Sequence, residues 1–375
     1  MKRKKINIEI PKDVILIHNI FKENKIKLFL VGGCIRDNLL NIKPKDWDLV
    51  SEAIPSKVIE MFKNKSFIKN ILFIGESFGV ISLVTENDTF EIATFRSDGE
   101  YTNKGRRPDS VTFGDIVEDS KRRDVTINAL FYDIDTNEVV DLVGGVNDLK
   151  NGVVRTVGAA EDRFGEDRLR ILRAIRFAGR FGSQLDPETD DALKKDASLE
   201  GISGERIRDE FLKGIASAKS VKNFLKMVDG YGLFDWVFKG LAVDKNFVED
   251  NEPIIVIANM LKKNNIESLR KDLNNLKYST DEVKAISFLI GLIKLSTETA
   301  VLLKRAQKNG GVTPEQVKKF GKLVGIDSRL LDTFIKFELS VSGPDLMDKM
   351  NLRPGPELGQ AIQKVETDNF KELLG

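Results

Sequence analysis

Two aspartates and a glutamate in the first quarter of the chain have residue types and spacing suited to holding metal ions. Asp46 and Asp48 lie two apart in DWDLVS, where the alternation of a strand directs both carboxylates to one face. Glu91, in the alternating segment TFEIATF, joins them if the two strands are neighbours. Three such carboxylates favour hard divalent cations and suit in-line phosphoryl or nucleotidyl transfer. The structural alternatives are a solvated strand edge for the aspartates and an ordinary exposed strand acid for Glu91.

A glycine pair precedes the acids and offers a binding site for polyphosphate. The apolar run at 26–31 predicts a strand, Gly32 and Gly33 predict a turn, and CIRDNLL predicts a helix. Because glycine has no Cβ atom, backbone N–H groups at such a turn can approach a triphosphate, and the positive end of the following helix favours the same anion. An ordinary turn is the alternative.

The segment RRDVTINALFYD carries a second polar cluster. Asp124 and Asn128 are four residues apart, which predicts one helical face on which a carboxylate and an amide can hold ribose hydroxyls. Arg122 and Arg123 are suited to phosphate. The alternative is an amphipathic helix with a charged start.

A third cluster lies in FGEDRLRILRAIRFAGRFG. Asp167 and Arg170, three apart on a predicted helix, combine an acceptor with a rigid donor fork and can read the edge of cytosine or adenine. The alternative is a surface salt bridge. Further along the helix, Arg173, Arg176 and Arg180 form either a basic stripe or a solvated face.

The elements that position these clusters change in type along the chain. Strands are predicted at 79–85 and 89–95, and Pro55 opens a predicted helix, so the first part is α/β. From about residue 160 helix-capping signals recur, and the remainder is predicted to be almost entirely helical; the clearest starts are at Asp186, Ser279 and Thr313. The segments 98–111 and 141–152, rich in Gly and Asn, are predicted loops.

Composition limits the kinds of covalent link and metal site that this chain can form. The 375 residues include one cysteine, Cys34, and one histidine, His18, so neither an internal disulfide nor a His/Cys metal cage is available. A catalytic metal must then be held by oxygen, which indicates Mg²⁺, with Mn²⁺ as an alternative. The net charge is only +1, and no apolar run approaches the roughly 20 residues of a membrane span. We expect a cytoplasmic protein without membrane insertion.

In serial order, these motifs resemble those of the class II tRNA nucleotidyltransferase and bacterial poly(A) polymerase family. The matching elements across 28–182 are GGCIRD, DWD, EIATFR, GRRPDSVTF, RRDVTINAL, DLVGGVNDL and RFGEDRLRILRAIRFAGRFG, with fainter similarity at 202–215 and 343–359. The resemblance implies an α/β (α+β) nucleotidyltransferase head of the DNA polymerase beta type, followed by an all-helical neck, body and tail. The implied divisions are 1–150 for the head, 151–220 for the neck, and 221–375 for a body and tail that bind tRNA.

The resemblance also implies roles for individual residues. Asp46 and Asp48 correspond to the metal ligands, and Glu91 to the third catalytic carboxylate. The other nucleotide-binding positions are Gly32, Gly33, Arg36 and Asp37 in a phosphate-binding turn, Arg123, Asp124 and Asn128 at the ribose, and Glu166, Asp167 and Arg170 at the base. Arg173 and Arg176, on later turns of the predicted helix, are also predicted to bind nucleotide. Arg106 and Arg107 lie in the loop that resembles the flexible loop associated with the change from C to A addition.

Within this family, the sequence favours CCA addition to tRNA from CTP and ATP. The loop at 98–111 makes a CC-only enzyme less favoured, and IGESFGVISLV stands where bacterial poly(A) polymerases carry a basic GRRF-type stretch. The remaining alternatives are addition of A alone and poly(A) synthesis. A rival of another class is a non-catalytic tRNA-binding protein on the same scaffold, against which the three intact acids argue.

Overall fold

The structure, a computed structural model, describes residues 2–73, 79–98 and 111–375. The chain divides into two compact units, Met1–Ile202 and Ser203–Gly375. None of the helices in the described ranges combines the length and apolar character that a membrane span requires. The predicted loop with Arg106 and Arg107 lies outside the described residues. The division into head, neck, and body with tail stays a prediction.

A mixed sheet organises the first unit. Among the described residues it has eight strands in the order β1-β10-β9-β2-β3-β6-β5-β4, with β3 and β6 parallel and the other neighbours antiparallel. The strands are β1 (Lys2–Lys5), β2 (Leu28–Val31), β3 (Leu49–Ser51), β4 (Asn70–Phe73), β5 (Val80–Val84), β6 (Thr89–Thr94), β9 (Leu130–Asp133) and β10 (Glu138–Asp141). Strands β7 (Arg96–Asp98) and β8 (Val111–Phe113) pair separately, as do β11 (Val153–Val154) and β12 (Gln184–Leu185). The strands predicted at 26–31, 79–85 and 89–95 are confirmed.

Strand β2 is buried on both faces, which explains its uninterrupted apolar sequence. Leu28 and Leu30 belong to a core on one side of the sheet, and Phe29 and Val31 to a core on the other side. The helices of this unit are α1 (Lys12–Glu23), α2 (Gly33–Leu39), α3 (Pro55–Phe62), α4 (Ile116–Lys121), α5 (Gly145–Asn151), α6 (Ala160–Glu166), α7 (Leu169–Phe181) and α8 (Pro187–Lys195).

The second unit is helical throughout, as predicted. Its helices are α9 (Gly204–Ser217), α10 (Val221–Gly230), α11 (Phe234–Val237), α12 (Pro253–Leu261), α13 (Ile266–Asn275), α14 (Thr280–Leu292), α15 (Ala300–Gly310), α16 (Pro314–Val324), α17 (Ser328–Lys336), α18 (Gly343–Met350) and α19 (Pro356–Leu374). The starts predicted at Ser279 and Thr313 are confirmed, and each forms a complete capping box. Asp186 likewise caps α8.

The predicted loop at 141–152 is wrong, because it contains α5. The Asp141 carboxylate accepts hydrogen bonds from four successive backbone N–H groups, those of residues 143–146, and so holds the start of this helix. Gly145 is required there by space, since a Cβ atom would lie 2.1 Å from the Thr126 carbonyl oxygen.

Candidate active site

A sharp turn connects β2 to α2. Gly32 has a φ of 75°, in the left-handed region that favours glycine, and its N–H donates to the Leu130 carbonyl at 2.9 Å. The position of a Cβ on Gly32 lies 3.6 Å from both Arg123 Nη1 and the Asn128 carbonyl oxygen. The predicted strand, turn and helix are therefore confirmed, and the turn lies directly against the second polar cluster.

The acid pair precedes β3. The strand predicted over DWDLVS begins only at Leu49, but the chain before it still alternates, with Asp46 and Asp48 exposed and Trp47 packed on the core. The Asp48 carbonyl accepts a hydrogen bond from the Val31 N–H at 3.0 Å, which fixes this segment beside β2. The two carboxylates thus share a face, for the reason that the spacing predicted.

Glu91 lies on β6, the parallel neighbour of β3. The register pairs Leu49 with Ile92, and continuing it by one residue places Glu91 opposite Asp48. The Asp48 side chain reaches solvent, but the protein packed around it limits its hydration and so raises its pKa. Glu91 and Asp46 raise this pKa further, and Arg123 opposes them. The structure therefore places the three predicted acids close enough for Glu91 and Asp46 to affect the pKa of Asp48.

The three acids are not arranged as a complete metal-binding site with three protein ligands. Within the described parts of the chain, no three His, Cys, Asp or Glu side chains are arranged as a complete metal-binding cluster. The donor set nevertheless fits a hard divalent cation, because it consists of carboxylate oxygens and because their mutual repulsion is relieved by positive charge. The assignment of Asp46 and Asp48 as the ligands of such an ion stays a prediction.

Asp119 anchors the two arginines of the second cluster, and sequence reasoning missed it. Its side chain is fully buried and accepts from Arg122 Nε at 2.8 Å and from Arg123 Nη2 at 2.8 Å. Burial alone would raise the pKa of Asp119, but the two guanidinium groups hold it below its ordinary value. Arg123 also lies over the ring of Phe131, 5.2 Å from its centroid, so its position is fixed on two sides.

The predicted helix across Asp124 and Asn128 does not form. Asp124 precedes a single 3₁₀ turn, Thr126–Asn128, and its backbone instead pairs with 155–157, through Thr126 N–H to Arg155 and Val157 N–H to Asp124. The two side chains still meet, because Asn128 Nδ2 donates to Asp124 Oδ1 at 3.2 Å. The proximity inferred from spacing is present, but a folded loop creates it.

Arg173 on α7 completes the environment of Asp124. Its Nε and Nη2 atoms both lie 2.8 Å from Asp124 Oδ2. Burial by itself would raise the pKa of Asp124, but the charge of Arg173, together with hydrogen bonds from Val125, Arg173 and Asn128, lowers it to about 2. The carboxylate is therefore ionised and oriented at neutral pH.

Asp167 and Arg170 do not share one helix, which corrects the prediction. Helix α6 ends at Glu166, Asp167 has an extended backbone, and α7 begins at Leu169, whose N–H donates to the Asp167 carboxylate at 3.0 Å. Arg170 is buried; its Nη1 lies 2.5 Å from Glu166 Oε2, and its Nη2 donates to the Arg122 carbonyl at 2.9 Å. Glu166 thus orients Arg170, and the third cluster lies against the second.

Helix α7 also carries an aromatic pair. The rings of Phe177 and Phe181 are stacked with an interplanar angle of 5°, and Arg176 lies over Phe177 at 4.2 Å from its centroid. Arg36, predicted at the phosphate-binding turn, is buried, and its guanidinium lies over both rings. Arg173 and Arg176 thus share the α7 face on which Arg36 packs.

Three curated relatives are similar to this chain over most of its length. The CCA-adding enzymes of Lactobacillus delbrueckii subsp. bulgaricus, Lactobacillus helveticus and Leuconostoc mesenteroides are 33%, 32% and 31% identical to it; the matches cover 92%, 90% and 90% of this chain and 89%, 87% and 86% of those proteins. The chain belongs to the CCA-adding enzyme family. A family model described as the poly A polymerase head domain matches residues 28–155, and one described as a probable RNA and SrmB-binding site of polymerase A matches residues 182–245.

Solved structures of CCA-adding enzymes share the fold. The Bacillus stearothermophilus enzyme in complex with CTP is 23% identical with a TM-score of 0.72, covering 96% of this chain and 93% of that one. The Thermotoga maritima enzyme complexed with tRNA is 21% identical with a TM-score of 0.67, covering 97% and 95%. The predicted fold, a nucleotidyltransferase head of the polymerase beta type followed by helices, is confirmed. Membership makes the chain a nucleotidyltransferase, a class that depends on divalent metal.

Proposed function

We propose that this CCA-adding family member extends the 3′ end of tRNA with C, C and A, taking CTP and then ATP and releasing pyrophosphate. One observation carries the proposal. The acids Asp46, Asp48 and Glu91, the cluster with Arg123, and the cluster with Arg170 all lie around the β2–α2 turn. Gly32 lies against Arg123, Arg170 donates to the Arg122 carbonyl, and the acids adjoin the same turn through the bond between Val31 and Asp48. Phosphate, sugar and base can thus be held together. The proposal places the chain in the cytoplasm, with its substrates.

In this proposal the acid face is the reacting centre. Asp46 and Asp48 hold divalent cations, Mg²⁺ or alternatively Mn²⁺, and Glu91 supplies the third carboxylate. When bound, such ions activate the attacking ribose hydroxyl and neutralise the leaving pyrophosphate. Gly32 and Gly33 present backbone N–H groups to the triphosphate.

The remaining clusters hold the rest of the nucleotide. The ionised carboxylate of Asp124 and the amide of Asn128 bind the ribose hydroxyls, and Arg123 adds positive charge near the phosphates. Asp167 accepts from an exocyclic amine while Arg170, oriented by Glu166, donates to base acceptors, with Arg173 and Arg176 supporting them from α7. Cytosine and adenine both carry an exocyclic amine beside an acceptor, so one pair of residues serves both nucleotides.

The helical part of the chain is assigned to tRNA. We infer a head at 1–150, a neck at 151–220, and a body and tail at 221–375 that bind the RNA substrate. Arg106 and Arg107, in the loop outside the described residues, are assigned to the change from C to A addition. Binding through Lys and Arg to RNA phosphates is expected to weaken as salt is raised.

The test is extension of three tRNAs, ending before CCA, at C and at CC, each incubated with Mg²⁺ and CTP, ATP or both. Products are resolved at single-nucleotide resolution. Growth by three, two and one nucleotides followed by a stop supports CCA addition. Extension of only the CC-ended tRNA indicates an A-adding enzyme, and a long ladder with ATP alone a poly(A) polymerase. If none of the three tRNAs is extended, the proposed catalytic function is wrong, and a non-catalytic tRNA-binding protein is favoured.

Replacing Asp167 with alanine is expected to change which nucleotide is chosen more than how tightly phosphate is held. The variant loses the acceptor for the exocyclic amine, a discrimination of about 1–3 kcal/mol per well-placed pair. The preference for CTP and ATP over UTP and GTP should therefore fall roughly tenfold or more, measured as ratios of kcat/KM.

Asp162→Ala is the matched control, because Asp162 is an exposed acid on α6 close to Asp167 in sequence. It should leave the four ratios unchanged. If Asp167→Ala also leaves them unchanged, base selection resides elsewhere.

A further inference from the structure

Helix α7 is tied to helix α2 by an ion pair between the partly exposed Arg180 and the buried Asp37. Arg180 Nη2 donates to Asp37 Oδ2 at 2.9 Å, and Asp37 Oδ1 accepts from Arg36 Nε at 2.9 Å. Asp37 and Arg36 are 5% and 4% exposed, so both charges depend on protein partners rather than on water. The carboxylate of Asp37 is thus shared between two arginines, one from each helix.

Arg36 extends this link to the ribose cluster. Its Nη1 donates to Asn128 Oδ1, while its guanidinium lies 5.2 Å from the centroid of Phe177 and 5.0 Å from that of Phe181. Cation–π contacts of this kind are stronger when the groups are withdrawn from water, as they are here. Arg36 is therefore held by both α7 and the cluster that contains Asn128.

The contacts close into a ring. Asn128 donates to Asp124, and Asp124 accepts from Arg173, which returns the path to α7 two turns before Arg180. The polar ring has six members: Arg180, Asp37, Arg36, Asn128, Asp124 and Arg173. Each member is held by the next, so a displacement of α7 breaks contacts at two separate points along that helix.

We propose that this ring positions the base-reading end of α7 relative to the ribose-binding pair, and that Asp37 and Arg180 are positioning residues for nucleotide selection. The inference rests on the proposed function. Arg170 lies one turn before Arg173, so fixing Arg173 and Arg180 fixes the distance between the sugar and base contacts. Displacement of a reacting or recognition group by about 1 Å can cost about 100-fold. Arg36 and Asp37 then hold α7 in place relative to the ribose-binding pair. This role differs from the phosphate contact that the family resemblance implied.

The test compares Arg180→Met with Arg168→Met. Arg168 is also in the α7 region and also pairs with an aspartate, Asp196 at 2.9 Å, but it is outside the ring. At a temperature well below unfolding, Arg180→Met should raise KM for CTP and ATP and lower discrimination against UTP and GTP by about tenfold each, with kcat within about threefold. Arg168→Met should leave KM and discrimination at wild-type values, whatever its effect on Tm.

Conservative and paired variants separate positioning from general destabilisation. Arg180→Lys keeps the charge and should restore most of the discrimination. Asp37→Asn should lose at least as much discrimination as Arg180→Met, because Asp37 also accepts from Arg36. The double variant should be no worse than the poorer single one, because each single variant already breaks the link between Arg180 and Asp37. Wild-type discrimination in both single variants, or additive losses in the double variant, would overturn the ring. A wild-type chain that extends no tRNA would instead overturn the proposed function.

Discussion

Replacing Asp48 with asparagine is expected to lower nucleotide incorporation by at least about 1,000-fold, while tRNA affinity stays within a few-fold. The amide keeps the shape of the side chain but removes a charged ligand for the divalent cation, which acts on chemistry more than on docking of the RNA. Asp46→Ala should have the same effect. Single-turnover extension of a CC-ended tRNA with ATP measures the rate, and filter binding measures the affinity.

Glu52→Gln is the matched control, because Glu52 is an exposed acid just after β3, on the same stretch of chain. Its rate should stay within about twofold of wild type, as for most surface substitutions.

Thermal unfolding supplies a readout independent of turnover. Mg²⁺ should raise the Tm of the wild-type chain and not that of Asp48→Asn. Without divalent cations, Asp48→Asn should be at least as stable as wild type, since the repulsion from Glu91 and Asp46 is removed. A near-normal rate in this variant would contradict the metal assignment.

The acid pair could be predicted because its placement depends on local alternation. Asp46 and Asp48 share a face with Trp47 packed inward, even though the assigned strand begins one residue after Asp48. Two-residue periodicity needs only an extended backbone, not a completed ladder. Helix starts such as Ser279 were predictable because they too depend on local sequence: a capping box is a contact within four residues.

The long-range contacts that hold the site residues in place could not be predicted from local sequence patterns. Asp37 and Arg180 are 143 residues apart, and no periodicity says that α7 packs on the β2–α2 turn. Asp119 was not singled out in the sequence, yet it is fully buried and paired with two arginines. The signal available for α7 was the spacing of Phe177 and Phe181, four apart on one face, which indicates an aromatic surface but not its occupant.

The Asp124 environment shows how a correct contact can follow from a wrong element. A spacing of four suggested a helix, but pairing of this segment with residues 155–157 outweighs helix formation, because it satisfies backbone groups on both segments. Asn128 reaches Asp124 across the 3₁₀ turn instead. The functional hypothesis therefore survives the structural correction, since it requires only that the carboxylate and the amide be adjacent.

Replacing Asp124 with asparagine is expected to reduce the preference for NTP over dNTP by about 10- to 100-fold, corresponding to the loss of a hydrogen bond to a charged group. The asparagine amide keeps one acceptor oxygen and puts a donor in place of the other, so it cannot accept from both Arg173 and Asn128 as the carboxylate does, and the ribose-binding geometry is lost along with the charge. Ratios of kcat/KM for ATP and dATP on a CC-ended tRNA measure the preference. Asp135→Asn, which removes a surface ion pair with Lys22, should leave the ratio unchanged.

The same variant tests the electrostatics through the pH dependence of stability. The pKa of Asp124 falls from an ordinary value of 3.8 to about 2, so the folded state favours the ionised form. This contributes roughly 2 kcal/mol, fully present above the unfolded-state pKa near 4 and lost as pH falls through about 2. The free energy of unfolding, measured with urea from pH 3 to 7, should therefore differ most between wild type and Asp124→Asn above pH 5, and the difference should narrow as pH falls from 4 towards 3. A difference that stays constant or widens below pH 4 would show that Arg173 does not hold this carboxylate ionised in the folded state.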